Sequence, residues 1–162
     1  MKLTTANGVT PEQRLASLGL ELPPAAGAVA AYESWAIAGS MLYTSGQLPW
    51  IAGDLKFAGK IGRELTPEQG YAACQLGALN ALAQIKAALG GFKLLKRVIR
   101  LEGSLNVAAG FNATPAVLNG ASHLLNEVFG DRGKHTRMIH AMPEMPLDCA
   151  CLIVLWAEIE SI

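Results

Sequence analysis

Asp148-Cys149-Ala150-Cys151-Leu152-Ile153-Val154-Leu155-Trp156-Ala157-Glu158-Ile159-Glu160 is apolar on both sides of an extended backbone. Its density of strand-forming residues predicts a strand. Alternation places Ala150, Leu152, Val154 and Trp156 on one side, and Cys149, Cys151, Ile153 and Leu155 on the other. A strand of that kind must be covered on both faces. The helices that precede it suffice for one face, so the other is predicted to pack against a further copy of the chain as a homo-oligomer.

Working outward, the loop Ala141-Met142-Pro143-Glu144-Met145-Pro146 leads back to a predicted strand over His135 to Ala141, and Gly130-Asp131-Arg132-Gly133 turns the chain before it. A helix capped at Thr114-Pro115 is predicted to run to Phe129, on the spacing of Val117, Leu118, Ala121, Leu124, Leu125 and Val128. Leu95 to Val107 reads as a strand, with Ile99, Leu101 and Leu105 on one side and Val98, Arg100, Glu102 and Ser104 on the other. Thr66-Pro67-Glu68-Gln69 combines a capping hydroxyl, a proline in the first turn and a glutamine three residues after the cap. Apolar spacing carries that helix to Gly90-Gly91, and Ala73, Gly77, Ala78 and Ala81 let it lie close on a sheet.

Trp50 to Arg63, with glycines at 53, 59 and 62, is predicted as an open loop with an exposed tip. Tyr32 to Ile37 and Met41 to Ser45 read as strands joined at Gly39-Ser40. The capping pattern recurs at Thr10-Pro11-Glu12-Gln13, which starts a short helix carrying Leu15 and Leu18. Strand, strand, helix, strand, helix, strand, strand is an α+β sandwich.

The chain has 162 residues, 51% of them hydrophobic, with no composition break, and one domain is expected. Thirteen basic residues balance thirteen acidic ones, which gives no global attraction for phosphate backbones or anionic membranes. Met1-Lys2-Leu3 leads into polar residues without an apolar signal core, so a soluble, cytosolic protein is expected. Cys74, Cys149 and Cys151 are too few for a disulfide framework and read as buried thiols. No metal-ligand spacing is found around them or around His123 and His135.

The candidate site is the stretch Gly133-Lys134-His135-Thr136-Arg137-Met138-Ile139-His140. The apolar flanks should bury Arg137 in part, and its planar fork of donors suits a carboxylate. His140, three positions on, should face the other way.

Three sets of residues together resemble the YjgF family of reactive-intermediate deaminases, also called the liver perchloric-acid-soluble protein family. They are Tyr32, Leu42-Tyr43-Thr44-Ser45-Gly46-Gln47-Leu48-Pro49, and His135-Thr136-Arg137 with Pro146 nine positions after the arginine. The resemblance covers Ala28 onward, with residues 1–27 as a helical extension of a longer branch. It implies a chorismate-mutase-like mixed sheet with two main helices on one face and the other face buried in a homotrimer, with pockets between subunits. It further implies cofactor-free hydrolysis of 2-imino acids to 2-keto acids and ammonia.

By that resemblance Arg137 would clamp the substrate carboxylate, the backbone of Gly46 and Ile139 would complete the cradle, and Tyr32 would form a wall. The family's catalytic glutamate falls at Leu152, which can neither orient nor deprotonate water. Its pocket asparagine falls near Ser122, with Asn119 one turn earlier as the other candidate. Glu144, in the loop between two prolines, is the candidate substitute acid and base. Some relatives are described as ribonucleases or translation inhibitors, but the only basic cluster, Lys93, Lys96, Arg97 and Arg100, reads as a solvated strand edge. A binding protein without turnover is the competing reading.

Overall fold

The computed structural model describes residues 8–161; the Met1-Lys2-Leu3 segment lies outside the described residues. Short helix α1 (Pro11–Ser17) and long helix α2 (Pro67–Leu89) start in the same way. The hydroxyls of Thr10 and Thr66 accept from the backbone N–H of Gln13 and Gln69, and each glutamine side chain accepts in return from the threonine N–H. Each reciprocal box satisfies two otherwise orphaned donors, and such a cap contributes about 1 kcal/mol. Helix α2 ends at Gly90, whose φ of 68° is open to glycine at little cost.

Strands β1 (Trp35–Ala38) and β2 (Met41–Thr44) form a hairpin. After α2 come β5 (Leu95–Asn106), helix α3 (Thr114–Phe129), β6 (Thr136–Met142) and β7 (Cys151–Ile159). A separate small hairpin pairs β3 (Trp50–Ile51) with β4 (Asp54–Leu55). The main sheet has the order β1-β2-β7-β5-β6, with β5 and β6 parallel and the other pairs antiparallel. Cys151, Ile153, Leu155, Ala157 and Ile159 of β7 are fully buried beneath α2 and α3, together with Leu101 and Leu105 of β5. Gly77 of α2 sits so close to the sheet that a Cβ there would come within 2.7 Å of Ile153. The mixed α+β fold with a mixed sheet is therefore as expected.

The opposite face of β7, made of Leu152, Val154 and Trp156, is half-buried and has no layer over it among the described residues. Tyr43 meets Trp156 edge to face at 5.5 Å, and Arg100 lies over the same indole at 5.5 Å while donating to Glu102 at 2.7 Å. Met138 and Met142 of β6 extend this apolar face toward the sheet edge.

Four expectations need correction. The faces of β5 are not those of simple alternation: register shifts between Leu95 and Arg97 and between Val98 and Arg100 change the phase. As a result Val98 is buried with Leu101 and Leu105, and Ile99 is only half-buried. Strand β1 begins at Trp35, because the chain is still turning at Tyr32, whose N–H bonds the Ala30 carbonyl. Thr114 is the first residue of α3 and not its cap, and the Ala113 position ahead of it makes no side-chain cap bond.

The segment from Trp50 to Arg63 is not open. It carries the β3–β4 hairpin, turned by Ala52 and Gly53 at positive φ, and it buries Ile61 completely. Gly59 N–H bonds Asp148, and Ile61 exchanges backbone bonds with Asn106 and Ala108.

Two polar residues inside α2 explain how the N-terminal third is held. Asn80 donates to the carbonyls of Leu48 and Trp50 at 3.2 and 2.9 Å, and Gln84 donates to Ala26 at 2.6 Å. Both side chains are buried and bonded, so they anchor backbone that would otherwise lie unpaired on the helix.

Candidate functional site

The site is built where β6 leaves α3. A one-turn 3₁₀ segment, Gly130–Gly133, returns the chain, and Gly133 packs flush on the Leu125 carbonyl, where a Cβ would overlap it. Strand β6 then pairs with β5 so that Arg137 lies beside Leu101 and Ile139 beside Gly103. Both residues therefore face the helix layer. Because β6 is an edge strand, Arg137 reaches past the core to the flank of α3. It is exposed, not partly buried as its apolar flanks suggested, since only Ile139 in this strand is even half-buried.

The guanidinium is held from the helix. Nη1 donates to Asn119 Oδ1 at 2.8 Å and to Ser122 Oγ at 3.2 Å, and Nη2 donates to the Pro115 carbonyl at 3.4 Å. Asn119 and Ser122, alternatives in the sequence, thus both touch Arg137. Of the five N–H groups, those on Nε and one on Nη2 have no partner among the described residues. Adjacent donors on one edge of a fixed guanidinium make a carboxylate fork.

Asn119, Ser122, His123, Asn126, Lys134, His135 and Arg137 line an open cleft of about 340 Å³. It holds two cations and two imidazoles but no carboxylate, so an anionic ligand is favoured there. His135 bridges Ser122 Oγ at 3.0 Å and the Gly133 carbonyl at 2.6 Å, and burial holds its pKa below the ordinary imidazole value. His123 meets the Tyr71 hydroxyl at 3.0 Å. The sequence shows no partner at metal-ligand spacing for either histidine. The available signal was that His135 and Arg137 are two apart, on one side of a strand, opposite a helix with polar residues at 119, 122 and 126.

The other candidates lie elsewhere in the chain. Tyr32 is 47% exposed, just before β1. Gly46 follows β2 and packs on Leu152, whose Cδ2 would lie 3.4 Å from a Cβ there. Three strand spacings separate β2 from β6, roughly 14 Å. Glu144 is seven positions from Arg137 along a mostly extended segment, roughly 20 Å, and its exposed carboxylate pairs with Lys60 at 3.6 Å. Within one protomer Tyr32 and Gly46 therefore lie on the β1–β2 side of the sheet, apart from Arg137 on the β6 edge. His140 sits beside Ser104, on the face away from Arg137.

Two of the four residues of the basic cluster pair with acids. Lys96 pairs with Glu158 at 2.8 Å, Arg100 with Glu102, and Arg97 donates to the Lys134 carbonyl. Cys74, Cys149 and Cys151 are free and buried; burial raises the Cys149 thiol to about 11. Among the described residues no group of three or more His, Cys, Asp or Glu side chains could hold a metal ion, and no helix is long and apolar enough to cross a membrane.

Comparison with known proteins shows what the chain is similar to. The model of the family described as "YjgF/chorismate mutase-like, putative endoribonuclease" matches residues 12–159. A Shewanella oneidensis crystal structure given the same endoribonuclease description is 49% identical with a TM-score of 0.91, over 93% of this chain and 100% of that one. A structure of unknown function from Agrobacterium tumefaciens is 37% identical with a TM-score of 0.87, over 93% of this chain and 94% of that one. Protein TCP17 of Trypanosoma cruzi is 34% identical over 148 residues, 91% of this chain and 92% of that protein.

Proposed function

This chain belongs to the YjgF/chorismate-mutase-like family, and from that membership we propose that it binds small carboxylates and hydrolyses 2-imino acids to 2-keto acids and ammonia. The observation that carries the reading is the acid-free cleft in which Arg137 keeps two unpartnered N–H groups. A 2-imino acid has its reactive carbon next to its carboxylate, so clamping the carboxylate fixes the carbon that water attacks. The reaction takes place in the cytosol with water and no cofactor.

The separation of Tyr32 and Gly46 from Arg137 within one chain supports a site shared between subunits. Arg137, Asn119, Ser122 and Ile139 would come from one copy, and Tyr32 and Gly46 from the next, in a homotrimer closed over the face of Leu152, Val154 and Trp156. Glu144 stays a candidate for proton transfer only in such an assembly. Sedimentation of the wild type should give the mass of three chains, and Val154→Arg, which sets a charge in the middle of that face, should give a single chain. A wild type that sediments as a monomer refutes the shared site.

The activity is tested by generating 2-aminoacrylate in situ with a dehydratase and following keto-acid release. Faster release than in buffer supports the deaminase. One observation favours a second reading, a binding protein without turnover: Leu152 presents methyl groups to Gly46 and offers no base. In that case release is not accelerated, but 2-keto acids at a hundred times Kd still raise the melting temperature by roughly 5–10 °C. Neither acceleration nor protection eliminates both readings. Ribonuclease action has little support here, because the basic residues of β5 are paired with acids or with backbone.

A further inference from the structure

Ser122 carries a hydroxyl set between an imidazole base and a cationic donor. Its Oγ is 3.0 Å from His135 Nε2, and Arg137 Nη1 donates to the same oxygen at 3.2 Å. The imidazole tautomer follows from its other nitrogen. Nδ1 is 2.6 Å from the Gly133 carbonyl, which can only accept, so Nδ1 carries the hydrogen and Nε2 presents a lone pair. Ser122 therefore donates to Nε2. Burial is the largest cause lowering the His135 pKa; the Gly133 bond works against it and the Arg137 charge with it. The ring is thus held toward its neutral form, with the Nε2 lone pair turned to Ser122.

A nucleophile, its base and a group that orients the base are all in place, and the serine oxygen faces a cation that favours its alkoxide. The cleft adds donors. Asn119 and Asn126 flank Ser122 three positions before and four after on α3, so all three share one face and line the cleft. Asn119 commits its carbonyl to Arg137, which leaves its amide hydrogens to meet a developing oxyanion.

We propose that Ser122 and His135 form a nucleophilic dyad that hydrolyses esters of small acids bearing a free carboxylate, with Arg137 holding that carboxylate. Ser122 Oγ bonds to the ester carbonyl carbon as its proton passes to His135 Nε2. The bond to the leaving oxygen breaks, and Nε2 returns the proton to it, releasing the alcohol. Water then attacks the acyl-serine and gives a proton to Nε2. The acyl–Oγ bond breaks, the proton goes back to Oγ, and the acid leaves. This activity goes beyond imine hydrolysis and does not depend on it.

The charged and titratable groups that share the cleft with His135 are Arg137 and Lys134 on its own segment and His123 on α3, of which the Arg137 charge lowers its pKa. Beyond these, Tyr71 of α2 bonds His123, Asp131 of the preceding turn pairs with Lys134 at 2.7 Å, and Arg97 of β5 bonds the Lys134 carbonyl.

The test is covalent labelling with diisopropyl fluorophosphate, read by peptide mass spectrometry, beside hydrolysis of 4-nitrophenyl hemisuccinate and 4-nitrophenyl acetate. The expected result is an adduct on Ser122 that is absent in Ser122→Ala and forms about a hundredfold more slowly in His135→Gln. Its rate should rise with pH below the ordinary imidazole value of about 6.5 in the wild type and be flat there in His135→Gln. The hemisuccinate should be cleaved faster than the acetate. No adduct on Ser122, or equal labelling rates with and without His135, overturns the proposal and leaves the pair as a structural tie between β6 and α3. Should Ser122→Ala fail to fold, the wild type and His135→Gln still decide the matter at the same serine.

Discussion

Arg137→Ala should weaken 2-keto acid binding about a hundredfold, and with it remove most of the keto-acid release and heat protection that the proposed function expects. The guanidinium is fixed by Asn119, Ser122 and Pro115 before any ligand arrives, so its free N–H edge meets a carboxylate without further ordering. Losing a charge-assisted, two-point hydrogen bond costs about 3 kcal/mol, which is roughly a hundredfold in affinity. Arg137→Lys keeps the charge but loses the fork, and should recover only part of the binding. The side chain is exposed, so circular dichroism and the melting temperature of either variant should stay close to wild type. A variant that keeps wild-type affinity for 2-keto acids removes Arg137 from the site and the proposed chemistry with it.

Gly120→Ala should unfold the protein at a temperature about 4–8 °C lower. Gly120 is where α3 crosses α2, and a Cβ there would overlap the Tyr71 carbonyl oxygen and lie 3.2 Å from Gln75 N. These are backbone atoms inside a helix and cannot rotate away. Helix propensity argues in the opposite direction, because alanine in a helix interior is favoured over glycine by about 1 kcal/mol. The steric term should dominate: separating two packed helices costs about 3 kcal/mol or more, and each kcal/mol moves the midpoint by about 2–4 °C in a domain of this size. Gly27→Ala is the control, since a Cβ there meets nothing within 4 Å. A Gly120→Ala variant as stable as wild type would mean that the helices cross elsewhere.

Much of this architecture was legible from local chemistry. The boxes at Thr10 and Thr66, the apolar spacing of α2 and α3, and the double-faced pattern of β7 are signals carried by neighbouring residues. What stayed hidden depends on residues far apart in the chain. Nothing near Val98 marks the bulge that moves it to the core face, because that shift is set by pairing with β7. Asn80 and Gln84 look like solvated helix positions until the backbone of residues 26 and 48–50 lies across them. Arg137 was singled out as a carboxylate fork from its type and flanks, but its anchoring to Asn119 and Ser122 is tertiary. His135 acquires meaning only when α3 places Ser122 beside it. Within one chain Glu144 serves Lys60, a lysine whose Nζ also reaches Asn106 and the Pro143 carbonyl in a largely enclosed position.

Strand β7 lies in the middle of the sheet although it is the most C-terminal of the strands, and this sets the order in which the protein can be made. Leu42 of β2 pairs with Ala157, 115 positions later. The β1–β2 hairpin therefore has no sheet to join until residues 151–159 have been synthesised, about 5–20 s after Thr44 at ordinary rates of translation. Until then β2 and β5 each present an unpaired edge, and the undersides of α2 and α3 have no β7 to cover. Loop closure over that distance is the slow event, so refolding should be governed by the arrival of β7 more than by the early helices. A chain released before Cys151 keeps both edges open, which makes it a substrate for aggregation or for chaperones rather than a smaller version of the fold.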